Sequence, residues 1–163
     1  MSKPRYNWWP FALNMIRDYP QRLRDYRDLH SQKITAAPDS GGGGGGAART
    51  TEGIALRQLP PQEQREFDAV DTALRITKAM PEGKARYDVV RLTMWKGYYL
   101  DGAAMQANVS SHTARRYRWQ FILLVGKLYG FLGEEEYREV LRRDGRKAKE
   151  AKKLGSQSQK NVI

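Results

Sequence analysis

Between Leu100 and Phe121 the chain reads LDGAAMQANVSSHTARRYRWQF, where Ser110, Ser111, His112, Thr113, Arg115, Arg116, Arg118 and Trp119 bring donors, acceptors, positive charge and an aromatic face close together. No nucleophile, base and orienter can be assembled from these side chains, so the chemistry within reach is recognition rather than bond-making. A guanidinium can donate two parallel hydrogen bonds to guanine, while hydroxyls and a helix N-terminus suit phosphate.

Such contacts need a frame. A DNA-reading helix-turn-helix requires a small residue where two short helices touch, a residue tolerant of positive φ at the turn, and apolar residues facing inward from both helices. With Leu100 at the start, Ala103 faces the core, Ala104 is the contact residue and Ala107 closes the first helix. Asn108 takes the left-handed turn, Val109 fills the gap between helices, Ser110 caps the second helix, and Ala114 and Tyr117 point inward. Ser111, His112, Arg115, Arg116 and Trp119 then lie on the outward face, with Arg118 and Lys96 placed for the phosphate backbone. An alanine-rich helix followed by a basic amphipathic one also suits an ordinary core, and the stripe Ala114, Tyr117, Phe121, Leu124 and Leu128 does demand packing. The two roles are compatible because they use opposite faces of one helix.

The charge balance favours an anionic partner. The 163 residues carry a net charge of +11, with a pI near 10.0, the excess usual in proteins that bind nucleic acid. It is unevenly spread: residues 84–120 hold seven basic against two acidic side chains, and 138–163 hold nine against three. The absence of cysteine excludes disulfides, thiolate zinc sites and cysteine nucleophiles. The apolar patch near the start is short and interrupted by Pro10, Arg17 and Asp18, so neither a signal peptide nor a membrane span is expected, and the cytoplasm is the default location.

The periodicity elsewhere is helical, and the expected fold is all-α: a small helical bundle containing the helix-turn-helix, with a flexible Gly-rich linker and a basic C-terminal tail. Residues 1–35 form an aromatic helical segment starting near Asn7, in which Trp8, Ala12, Met15 and Tyr19 share a face widened by Trp9, Leu13 and Ile16, and which Pro20 should stop or kink. Residues 36–58, with six consecutive glycines from Gly41, read as the linker; no Lys-Ser/Thr follows them, as a phosphate-binding loop would require. The DNA-binding domain spans 59–141, with its helix-turn-helix at 100–121. Its first helix starts at Pro60-Pro61, bears Phe67, Val70, Ala73, Leu74 and Met80 on one face, and ends at Pro81-Glu82-Gly83; the next covers ARYDVVRLTMWKGYY, with Tyr87, Val90, Met94 and Tyr98 in a stripe. Glu134-Glu135-Glu136 suits a helix N-terminus, and 142–163 form a basic, partly disordered tail. His30 and His112 have no cysteine near them, so no metal, cofactor or catalytic role is assigned.

The run from Tyr87 to Phe131, above all WKGYYLDGAAMQANVSSHTARRYRWQFILLVGKLYGF, resembles the promoter-reading region 4 of sigma-70-type factors. Together with YNWWPFALNMIRDYP and ALRQLPPQEQREFDAV it is similar to the small phage and prophage late-gene transcriptional regulators of the RinA and ArpU type. The resemblance implies a non-enzymatic, sequence-specific activator acting on double-stranded DNA in the bacterial host cytoplasm, with host RNA polymerase as a partner, a homodimer as an option, and Ser110 to Gln120 as its recognition helix. The turn carries Asn108 where the family has glycine, and no segment resembles the sigma region that binds the −10 element. The alternative is a DNA-packaging adaptor like the phage terminase small subunit, against which the lack of a heptad repeat after the motif counts.

Overall fold

The computed structural model describes residues 6–31 and 59–145, and within them the chain is an all-α bundle with no strand. Its helices are α1 (Trp9–Ser31), α2 (Pro61–Ala79), α3 (Gly83–Trp95), α4 (Leu100–Gln106), α5 (Ser111–Tyr129) and α6 (134–145). The expected linker 36–58 and residues 146–163 of the expected tail lie outside the described residues. Residues 142–145 belong to α6, one turn beyond the last apolar position, Leu141.

Helix α1 runs through Pro20 rather than stopping there. Proline has no N–H to return to the carbonyl four residues back, so the Ile16 carbonyl, on a fully buried residue, loses its helical partner. The indole of Trp95 supplies the replacement, donating Nε1–H to Ile16 O at 2.6 Å from the end of α3. A defect internal to α1 thus becomes a tertiary anchor.

The aromatic residues of α1 extend this docking. Tyr19 stacks on Phe67 and Trp95 and donates its hydroxyl to Asp71 of α2 at 2.8 Å. Burial, helped by the Asp71 carboxylate, pushes the Tyr19 pKa above the usual tyrosine range, so the ring stays neutral. Arg22 pairs with Glu66 at 2.5 Å where both are largely covered. Trp8 lies over Gly126 of α5, where a Cβ would meet its ring at 2.5 Å, and stacks between Tyr6 and Phe131. Residues of 6–31 therefore share the principal core with α2, α3, α5 and α6.

Helix α3 is shorter than its sequence pattern suggests. It ends at Trp95, and the chain turns through Gly97 at φ 71, a conformation that other residues adopt only with strain. Tyr98 consequently leaves the buried stripe, and Tyr99 is 90% exposed.

Helix α5 is the spine. Its second half, Phe121 to Val125, is buried in the principal core, while Ala114 and Tyr117 in its first half join Val89 and Ala104 in a smaller cluster with Val109 at the edge. The smaller cluster seats α4 against α5, and the larger one holds α5 on the bundle. Among the described residues no helix is long and apolar enough to cross a membrane.

Candidate nucleic-acid interface

Helices α4 and α5 are joined by residues 107–110, and the geometry there follows from four side chains. Ala103 and Ala104 are buried against α5, where larger side chains would hold the helices apart. At the end of α4, Val109 N–H bonds Ala104 O at 3.0 Å and Asn108 N–H bonds Met105 O at 3.2 Å. That pair of bonds closes a helix on a left-handed residue, and Asn108 has φ 54. Ser110 then caps α5, its Oγ accepting from the Thr113 N–H at 3.1 Å.

Asn108 is the strained member of this turn. Asn108→Gly is expected to be neutral or mildly stabilising, and Asn108→Ala to cost about 1 kcal/mol. Equilibrium urea unfolding of the two variants measures this, and equal midpoints would show that the turn carries no left-handed constraint.

The structure divides the expected contact residues into three groups. His112 and Arg115 are exposed on the outer face, and among the described residues neither has a hydrogen-bond or ion-pair partner. Ser111, half-buried, begins that face. Ser110 and Thr113 are committed to the cap, their hydroxyls 2.9 Å apart, so what they contribute to this face is an ordered helix N-terminus. Trp119 is half-buried and packs on the principal core, which makes it a rim of the face rather than a free stacking platform.

Arg116 is tied down, with Nε 3.1 Å from Asp144 Oδ2 of α6. That nitrogen is buried and its N–H does not point squarely at the oxygen, so the contact is an ion pair rather than an aligned hydrogen bond. Arg118 lies away from the outer face, on the side of α5 towards Arg17 of α1. Burial, and then the charge of Arg17, lower its pKa from the ordinary arginine value. Lys96 is exposed in the loop after α3, immediately beyond the Trp95 anchor.

Around Arg116 lies a polar network that reasoning from the sequence missed. Arg86 of α3 donates to Pro81 O at 3.0 Å and to Gln120 Oε1 at 2.8 Å, and its guanidinium sits 4.3 Å from the centre of the Tyr117 ring. Gln120 in turn reaches Asp144 at 3.5 Å, and the Tyr117 hydroxyl donates to Glu82. Arg17, Arg86, Gln120 and Asp144 carry no periodic signal that marks them. Only a lone acid in the basic run RRDGRK pointed to Asp144.

In sum, α5 presents a face with cationic side chains at its N-terminal half, backed by a buried seam and edged by Asp144. Such a face can meet polyanions and donate to base edges. No family model, no curated protein and no solved structure matches the chain.

Proposed function

We propose that the chain is a sequence-specific DNA-binding transcriptional regulator that reads duplex DNA with α5 as the recognition helix of a helix-turn-helix. The observation that carries this reading is the α4–α5 pair: a left-handed Asn108, a Ser110 cap, and beyond them an outer face on which Arg115 and His112 are exposed and have no partner among the described residues. An exposed guanidinium and an imidazole at the start of a well-anchored helix are placed as a major groove would use them, one offering charge and both offering hydrogen-bonding groups. The net charge of +11 supports an anionic partner of this kind. Activation of phage late genes, through a promoter and host RNA polymerase in the bacterial cytoplasm, is the role that the sequence resemblance adds to this proposal.

The test is selection of bound sequences from a random duplex library at physiological salt with competitor DNA. A defined motif is the expected result, and its symmetry reports whether one or two copies bind. Salt-sensitive binding without a motif would sink the proposal of base reading.

The C-terminal segment supplies a separate expectation. Residues 146–163 hold six Lys or Arg against one Glu and follow directly on α6, whose Asp144 touches Arg116. Deleting Arg146 to Ile163 is expected to weaken binding to all sequences alike and to flatten the dependence of affinity on salt, because fewer counterions are displaced from the phosphates. Affinities on cognate and scrambled duplexes over a salt series measure this; a change of preferred sequence would contradict it.

A further inference from the structure

The two neighbouring arginines of the outer face are held in different ways. Arg115 is exposed and has no partner among the described residues, which leaves its guanidinium able to follow whichever phosphate lies within reach. Arg116 has its Nε buried against Asp144, while 39% of its side chain remains exposed. A guanidinium anchored at Nε keeps its Nη nitrogens for a ligand, and much of the freedom that a long side chain loses on binding is already removed.

The anchor is itself braced. Asp144 is within 3.5 Å of Gln120 Nε2, Gln120 Oε1 accepts from Arg86, and Arg86 is fixed to the α2–α3 turn through Pro81 O. Asp144 lies in the last turn of α6, whose Tyr137 and Val140 are buried in the principal core together with Leu132 just before the helix. Position is therefore transmitted from the core to one guanidinium. His112, Arg115, Trp119 and Asp144 line the same shallow depression as Arg116, so the anchored group stands on the outer face of α5.

From this geometry, and resting on the DNA-reading function proposed above, we infer that Arg116 determines base specificity by pairing with a guanine, and that Asp144 is the positioning residue that sets it. Arg115 supplies sequence-independent attraction to phosphate. Helix α6, outside the helix-turn-helix itself, is thereby part of the reading head. Reading O6 and N7 together needs a planar fork held in one orientation; contact with phosphate tolerates many.

The experiment compares binding of the full chain to its selected duplex and to the three variants at each G·C pair, for the wild type, Asp144→Asn, Arg116→Lys and Arg116→Ala. In the wild type one G·C pair is expected to be preferred by roughly 5- to 150-fold. Arg116→Lys and Arg116→Ala should abolish the preference at that pair. Asp144→Asn should reduce it several-fold at that pair alone, with the salt dependence unchanged. In the Arg116→Ala background Asp144→Asn should have no further effect there. Removing a negative charge near DNA favours binding to every sequence alike, and a uniform gain leaves the ratio between bases untouched.

Circular dichroism and thermal unfolding confirm that each variant is folded, and Gln120→Glu, which leaves Arg116 and Asp144 in place, serves as a second perturbation of the brace and should also reduce the preference at that pair. A wild type that prefers a motif unaltered by Asp144→Asn would overturn the role of Asp144 while leaving the proposed function intact. A wild type with no preference among sequences would overturn both.

Discussion

Trp95→Phe is expected to destabilise the folded chain by about 1–3 kcal/mol, the cost of leaving a buried carbonyl without a donor. Phe keeps an aromatic ring beside Tyr19 but loses both indole volume and the N–H that serves Ile16 O, so a coupling with Pro20 is what isolates the hydrogen bond. The cause of the vacancy lies at Pro20, four residues further along α1. In a Pro20→Ala background residue 20 regains its N–H and can bond Ile16 O within the helix, so Trp95→Phe should cost less there. Urea unfolding of both single variants, the double variant and the parent measures this coupling. Strictly additive losses would show that Trp95 stabilises the chain through its ring alone.

Arg115→Ala is expected to weaken binding to the selected duplex by about 1–3 kcal/mol, through loss of an exposed guanidinium that no fold contact restrains. Its signature differs from that of Arg116. If Arg115 meets phosphate, the loss is the same for every sequence and the slope of affinity against salt falls by about one ion. A loss confined to sequences carrying one particular base would overturn the phosphate role assigned to Arg115. Titration by fluorescence anisotropy at several salt concentrations, on cognate and single-substituted duplexes, distinguishes these results. An Arg115→Ala chain that binds as the parent does would remove Arg115 from the interface. Folding should be indifferent to the change, since Arg115 is exposed and without a partner in the bundle.

Much of the frame was legible in the residues. Pro61 at the start of α2, the face Phe67, Val70, Ala73 and Leu74, and the inward stripe of α5 all obey a helical period, and their burial follows from it. The turn between α4 and α5 was legible for a sharper reason: few residues accept a left-handed backbone, and Asn108 followed by Val109 and the capping Ser110 meets three separate local demands. The end of α3 was not. An apolar period running to Tyr98 outweighed Gly97 in the reading of the sequence, whereas in the fold the backbone turn at Gly97 prevails.

Pro20 shows where local rules stop. Proline inside a helix is unfavourable when the helix is considered alone, and the expectation of a stop or kink is sound on those terms. The cost is offset by Trp95, seventy-nine residues beyond the Ile16 whose carbonyl it serves, through a hydrogen bond that no window along the chain contains. Arg116 is a parallel case. Its type and place on α5 announced a cation on the outer face, but its pairing with Asp144 depends on α6 folding back over α5.

By itself, then, the sequence determined the helices, most of their buried faces, the turn at Asn108 and the basic character of α5, because each depends on neighbours within a few residues or on composition. The tertiary structure alone decided that α1 belongs to the same core as α5, that Trp95 repairs the break at Pro20, that Arg118 faces α1, and which of two adjacent arginines is held and which is free. Those outcomes rest on contacts between residues far apart in the chain, whose meeting is set by how the helices pack.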